Sequence, residues 1–286
     1  MKKHAHQREG LRKGIYLLPN LFTTANLFCG FFSVIKSLNG DFIAASWAIL
    51  LAGIFDTLDG RVARLTKAES EFGIEYDSLV DLASFGLAPG ILVYTWGLQG
   101  VGHIGWLAPF LFLACGALRL ARFNVQHDNV ENSFFQGLPI PTAAYVLASF
   151  TLFHHHFFSI TTPAPLFLSL VTILLSCLMV STINYRSMKS LEIKGKHSFF
   201  ALVLVVLSIF VIATEPEITI FVLVLAYVSS GLLEEIFTQK ESRKLVAKVK
   251  KHREDKRAQL KMKLVSGGDV LPFQAEEKPE KSPKQS

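Results

Sequence analysis

The sequence predicts an all-α fold, a polytopic membrane helical bundle of about eight transmembrane helices, on three observations. Half of its 286 residues are hydrophobic, and the mean hydropathy is +0.37. Apolar stretches recur at lengths close to the roughly 20 residues that a bilayer-spanning helix needs. Lysines and arginines gather at the two ends and in alternate connections, as membrane topology requires and as a soluble domain does not.

Taken in order, residues 1–16 are basic, with Lys2, Lys3, Arg8, Arg12 and Lys13, and precede an apolar run interrupted by Pro19, Asn20, Thr23, Thr24 and Asn26. No small-residue cleavage site bounds a short apolar region, so this reads as an uncleaved first span and not as a signal peptide. Spans are expected at 20–38, 42–65, 76–97, 103–122, 141–158, 164–184, 198–214 and 217–236. The turns between them are short and carry Asn39 and Gly40, Gly100 and Gly102, Pro163 or Pro216. The tail from Lys240 is charged and, after Ser266, rich in Gly, Pro, Glu and Lys. Its first part suits a polar or amphipathic helix on anionic lipid, and the rest has the composition of a disordered segment.

Eight spans place both termini on one side. Of the 29 Lys and Arg residues, 28 lie at the N-terminus, at 61–67, at 119–122, at 186–196 or from 240 onward, which leaves Lys36 alone for all the alternate loops. The positive-inside rule then puts both termini and the even-numbered turns in the cytoplasm. The net charge of +6 and pI near 9.2 follow this topology and point to a membrane surface, not to nucleic acid. Cys29, Cys115 and Cys177 each sit inside an apolar run without metal-ligand spacing and read as packing residues. His154, His155 and His156 are successive on a helix, point in different directions and cannot chelate together.

The chemistry lies in residues 56–81, D-T-L-D-G-R-V-A-R, eight residues, then G-I-E-Y-D-S-L-V-D. On a helix Asp56, Asp59, Gly60 and Ala63 share a face, and Asp77 and Asp81 form a second acidic pair. If the two pairs converge, four carboxylates within a few ångströms cannot all remain ionised without cations between them, so the arrangement calls for metal or for protons held on the acids. Hard divalent cations prefer oxygen ligands, and paired metals at a membrane surface most often serve phosphate chemistry. Gly60 weakens its helix and suits the close approach of a ligand or a backbone. Arg64, one turn on, offers a fork of donors to phosphate.

This stretch resembles, position for position, the signature of the CDP-alcohol phosphatidyltransferase family, D-x2-D-G-x2-A-R-x8-G-x3-D-x3-D, as Asp56, Asp59, Gly60, Ala63, Arg64, Gly73, Asp77 and Asp81. The resemblance implies a site with two divalent cations, Mg²⁺ or Mn²⁺, held by Asp56, Asp59, Asp77 and Asp81, with Asp81 also the general base on the incoming alcohol. Gly60, Ala63, Arg64 and Gly73, with Asn20 and Thr23 of the first span, are implied as nucleotide and diphosphate contacts. The donor would be CDP-diacylglycerol and the leaving group CMP, and a homodimer in the bacterial cytoplasmic membrane is implied, with its active site facing the cytoplasm.

Two further stretches resemble the integral-membrane phosphatidylserine synthase branch of that family: L-P-N-L-F-T-T-A-N-L-F-C-G at 18–30, and A-L-R-L-A-R-F-N at 117–124 followed by F-Q-G-L-P-I-P at 135–141. They imply L-serine as acceptor, its carboxylate met by Arg119 and Arg122 at the cytoplasmic end of span four. Glycerol 3-phosphate, inositol phosphate or choline remain alternative acceptors. A divalent-cation transporter would instead spread acids over several spans near mid-membrane. The expected organisation is a catalytic core at 1–190, two additional helices at 191–238 that leave the site untouched, and a basic tail at 239–286.

Overall fold

The computed structural model describes residues 2–66, 70–127, 134–158, 162–186, 214–231 and 233. Helix α1 (Lys2–Leu38) runs through Pro19 without a break. The basic N-terminal stretch therefore runs as helix into the expected first span. Its residues are mostly good helix formers, and nothing before Pro19 other than Gly10 and Gly14 opposes a helix. After the turn at Asn39 and Gly40, Asp41 caps α2 (Phe42–Thr66): its Oδ1 accepts from the Ala44 amide at 3.2 Å, and Lys36 Nζ donates to its Oδ2 at 2.8 Å. The hydrogen bond from the Lys36 ammonium, then that from the Ala44 amide, hold the Asp41 carboxyl below its ordinary range. Ala45, Ala48, Ile49 and Ala52 form the buried stripe of α2. Such small side chains let helix backbones approach closely where lipid supplies no hydrophobic driving force.

Helix α3 (Glu71–Leu98) starts at Ser70, whose Oγ accepts from the Gly73 amide at 3.0 Å, with Glu71 in the first turn. Capping and a favourable charge on the helix dipole set this start, five residues before the expected one. The helix widens to π geometry at Leu82–Leu87, immediately after Asp81, and again at Tyr94–Leu98. π turns are rare and concentrate at functional sites.

The bundle continues with α4 (Gly102–His127), α5 (Ile140–Phe158), α6 (Pro165–Val180) and α7 (Pro216–Gly231). Phe85, Phe112, Leu138, Ile140, Leu147, Leu168 and Met179 fill its centre. Leu21, Phe28, Phe31, Phe110 and Leu170 face outward, as a surface in contact with hydrocarbon requires. Four helical segments are long and apolar enough to cross a membrane: Leu18–Leu38, Phe42–Thr66, Glu71–Leu98 and Gly102–Val125. Helices α6 and α7 are apolar but shorter. The chain is thus a helical membrane protein with four such spans among its described residues. The expected span at 198–214 and the tail from 239 lie outside the described residues, so eight spans are not established.

Two short strands, which the apolar pattern did not reveal, close the site end of the bundle. β1 (Phe134–Gln136) and β2 (Asn184–Arg186) pair antiparallel with Phe135 opposite Tyr185. Gly137 follows β1 at φ +81°, donates its amide to Ile183 O at 2.8 Å, and would drive a Cβ into the Met179 carbonyl oxygen. At the opposite end His156 Nδ1 meets Glu217 Oε2 at 3.1 Å, while His154 packs edge-on against Trp96 at 5.3 Å. The histidines of the 154–156 run thus turn to different neighbours.

Gly137→Ala combines a left-handed backbone with a steric overlap on carbonyl oxygen. We expect it to cost about 2 kcal/mol or more and to lower the melting temperature of the detergent-solubilised protein by several degrees. An unchanged melting curve would show that the ribbon does not brace the bundle.

Candidate functional site

The site is assembled at the bundle end where α2 finishes and α3 begins. Asp56 and Asp59 lie on the last turns of α2, and Asp77 and Asp81 on the first turns of α3, so the three- and four-residue spacings aim each pair at the other. One carboxylate oxygen from each of Asp56, Asp59 and Asp77 lies within 4.8 Å of the others. Asp59 is buried, and its Oδ2 and Asp77 Oδ1 are both enclosed without a hydrogen-bond partner. Buried acceptors with nothing to accept are costly, and an all-oxygen set at this separation is what a hard divalent cation compensates. On these grounds the residues present fit a metal centre, and the cluster is compatible with the divalent cations expected from the sequence.

Asp81 lies within electrostatic reach of all three, and Asn26 Nδ2 of α1 donates to its Oδ1 at 3.4 Å. Arg119 of α4 is 8% exposed, has an unpartnered Nε and is within electrostatic reach of Asp81. The arrangement therefore has an acidic half suited to cations and a mixed half, around Asp81, suited to a small polar molecule.

The other expected residues divide. Thr23 is buried beside Asp59, its hydroxyl also donating to Pro19 O at 3.2 Å. Asn20 Oδ1 stands 3.6 Å from where a Cβ on Gly73 would be, so both border the same space. Gly60 leaves its side of α2 open. Ala63 is half-buried on the next turn. Arg64 is exposed and folds back to give its Nε to Gly60 O at 2.8 Å. Arg122 turns away from the acids, its Nη1 donating to Val180 O at 3.2 Å at the end of α6.

Four neighbours escaped the sequence reading. Asn26 is fully buried against Asp81, yet Asn20, Thr23, Asn26 and Gly30 trace one stripe of α1, and that periodicity was the available signal. Asn124 exchanges hydrogen bonds with Ser78, at 3.1 and 3.3 Å, and so fixes the turn of α3 between Asp77 and Asp81 to α4. Tyr145 of α5 has Asp56 and Asp81 as its charged neighbours. Tyr227 of α7 lies within electrostatic reach of Arg119, so the added C-terminal helix does not leave the site untouched.

Residues 16–183 match the model of the CDP-alcohol phosphatidyltransferase family. A CDP-diacylglycerol–serine O-phosphatidyltransferase of Helicobacter pylori is 38% identical over 225 residues, 78% of this chain and 92% of its own length. The archaetidylserine synthase of Methanothermobacter thermautotrophicus is 40% identical over 170 residues, 59% of this chain and 69% of its own. A CDP-diacylglycerol–serine O-phosphatidyltransferase of Bacillus subtilis is 33% identical over 172 residues, 60% of this chain and 91% of its own.

If the acid trio is the cation site, Asp59→Asn and Asp77→Asn each weaken Mn²⁺ binding by the purified protein about tenfold or more, read from a spin-resonance titration of free Mn²⁺. Affinities that match the parent protein would move the cation elsewhere.

Proposed function

The chain belongs to the CDP-alcohol phosphatidyltransferase family, and from that premise we propose that it transfers the phosphatidyl group of CDP-diacylglycerol to L-serine, forming phosphatidylserine and releasing CMP. The observation that carries the reaction type is the convergence of Asp56, Asp59 and Asp77 with Asp81 beside them; the acceptor follows from the named activities of the relatives. Two divalent cations, Mg²⁺ or Mn²⁺, held by these four aspartates would neutralise the diphosphate and make its phosphorus open to attack.

Around them the chain's own groups divide the work. Asn20, Thr23, Gly60, Ala63, Arg64 and Gly73 border the nucleotide and diphosphate of the donor. Arg64 can exchange the Gly60 carbonyl for phosphate oxygen, a stronger acceptor for guanidinium. Asp81 accepts the proton of the serine hydroxyl as its oxygen bonds to the phosphorus that carries diacylglycerol. The bond from that phosphorus to the CMP oxygen breaks, and CMP departs. Arg119, buried and with a donor unused, takes the serine carboxylate. Arg122, the second guanidinium expected at the serine carboxylate, anchors α6 through the Val180 carbonyl.

The one-sided distribution of Lys and Arg supports the bacterial cytoplasmic membrane with both termini and the site facing the cytoplasm. A homodimer, a core at 1–190 followed by helices at 191–238 and a basic tail at 239–286 complete the proposal.

Purified protein supplied with CDP-diacylglycerol, labelled serine and Mg²⁺ or Mn²⁺ is expected to release CMP and labelled phosphatidylserine, and a chelator to stop both. CMP release with glycerol 3-phosphate, inositol phosphate or choline but not with serine would overturn the acceptor. Arg119→Lys is expected to raise the serine KM about tenfold with the CDP-diacylglycerol KM unchanged, because an ammonium cannot replace a bidentate fork. An unaltered serine KM would remove Arg119 from the acceptor pocket.

A further inference from the structure

Tyr145 lies in the first half of α5, with its ring edge-on to Phe85 at 5.8 Å and 86°. Phe85 belongs to the π turn that follows Asp81. From there the phenol reaches across to α2, where its hydroxyl occupies the place that a Cβ on Gly53 would take. Gly53 is one turn before Asp56 on the same helix face. Asp56 and Asp81 are the charged groups that act on the hydroxyl. Phenylalanine would fill the same volume and keep the contact with Phe85, so packing alone does not account for a hydroxyl here. A largely buried phenol needs a hydrogen-bond partner, and two neighbouring carboxylates need a donor. A neutral phenol supplies one without adding charge beside the cation site.

We propose that Tyr145 is a positioning residue for the transfer reaction: its hydroxyl, seated over Gly53 one turn from Asp56, donates its proton between the neighbouring Asp56 and Asp81 carboxylates and holds Asp81 turned toward the acceptor alcohol, and Gly53 is small so that the hydroxyl can reach them. This rests on the role given above to Asp81. Tyr145 touches neither the donor nor the serine. Its loss therefore lowers the rate of the chemical step and leaves substrate binding as it is, whereas a residue that only packed would affect stability.

The test is single-turnover CMP release with serine as acceptor, together with melting temperatures, for Tyr145→Phe, Gly53→Ala, the double variant and Asp81→Asn. We expect Tyr145→Phe to slow the step at least about tenfold, with both KM values within twofold of the parent and an unchanged melting temperature. Gly53→Ala is expected to be both slower and less stable. Adding Tyr145→Phe to it, which removes the overlapping oxygen, recovers part of the melting temperature and none of the rate. Tyr145→Phe at the parental rate, beside an inactive Asp81→Asn, overturns the role of Tyr145 alone. So does recovery of the rate in the double variant. Full activity in Asp81→Asn overturns the assignment of Asp81 on which the inference rests.

Discussion

Four carboxylates brought together at the end of an apolar bundle are the constraint on which this architecture depends. Their mutual repulsion and their removal from water both disfavour the folded arrangement, and among the described residues Arg119 brings a cation within reach of Asp81 but not of the trio. Arg119 is the buried guanidinium within reach of Asp81, while Arg64 and Arg122 are bound to the carbonyls of Gly60 and Val180. The protein thus holds negative charge in reserve for a ligand that brings positive charge. The orphaned oxygens of Asp59 and Asp77 are compatible with such a ligand.

Holding mutually repelling groups requires a frame that cannot relax. The small residues on the buried stripe of α2 allow close helix packing, and Asn124 ties the site turn of α3 to α4 through Ser78. The π turn after Asp81 shifts the register of α3, so that Ser84 can donate to the Asn26 carbonyl at 3.2 Å while Asn26 itself reaches Asp81. A single residue of α1 is therefore fixed by its main chain and acts through its side chain. Such second contacts determine where an acid points more than the spacing of the acids does.

The acids were legible in the sequence because their partners are local: positions three and four apart on a helix must share a face, and charge in an apolar run is an anomaly wherever it falls. The convergence of Asp56 and Asp59 with Asp77 needed only the short turn between two helices. Contacts between distant helices left weaker traces. Asn26 was visible as one step of a polar stripe, but its partner fifty-five residues away was not. Gly53 and Tyr145 look like an ordinary membrane-helix glycine and an ordinary aromatic residue, and only their crossing gives either a meaning. The ribbon of Phe134–Gln136 with Asn184–Arg186 is too short for a period of two to register against the apolar background. Arg119 and Arg122 carry the same side chain on the same helix end, and only geometry separates a buried guanidinium with an unused donor from one that caps α6.

That separation bears on how one family scaffold serves different alcohols. On the proposed assignment the acid trio and its neighbours on α1 and α2 meet groups common to every CDP-linked donor, so they have little freedom to vary. The half around Asp81 is built from α4, α5 and α7, through Arg119, Tyr145 and Tyr227. Changes on those helices reach the acids through Asn124 and Tyr145, while Asn26 and the π turn also fix Asp81 from the side of α1 and α3. Acceptor choice is then a property of the elements that pack against the catalytic pair of helices. On the proposed assignment the added C-terminal helix belongs to that set, since Tyr227 lies within electrostatic reach of Arg119.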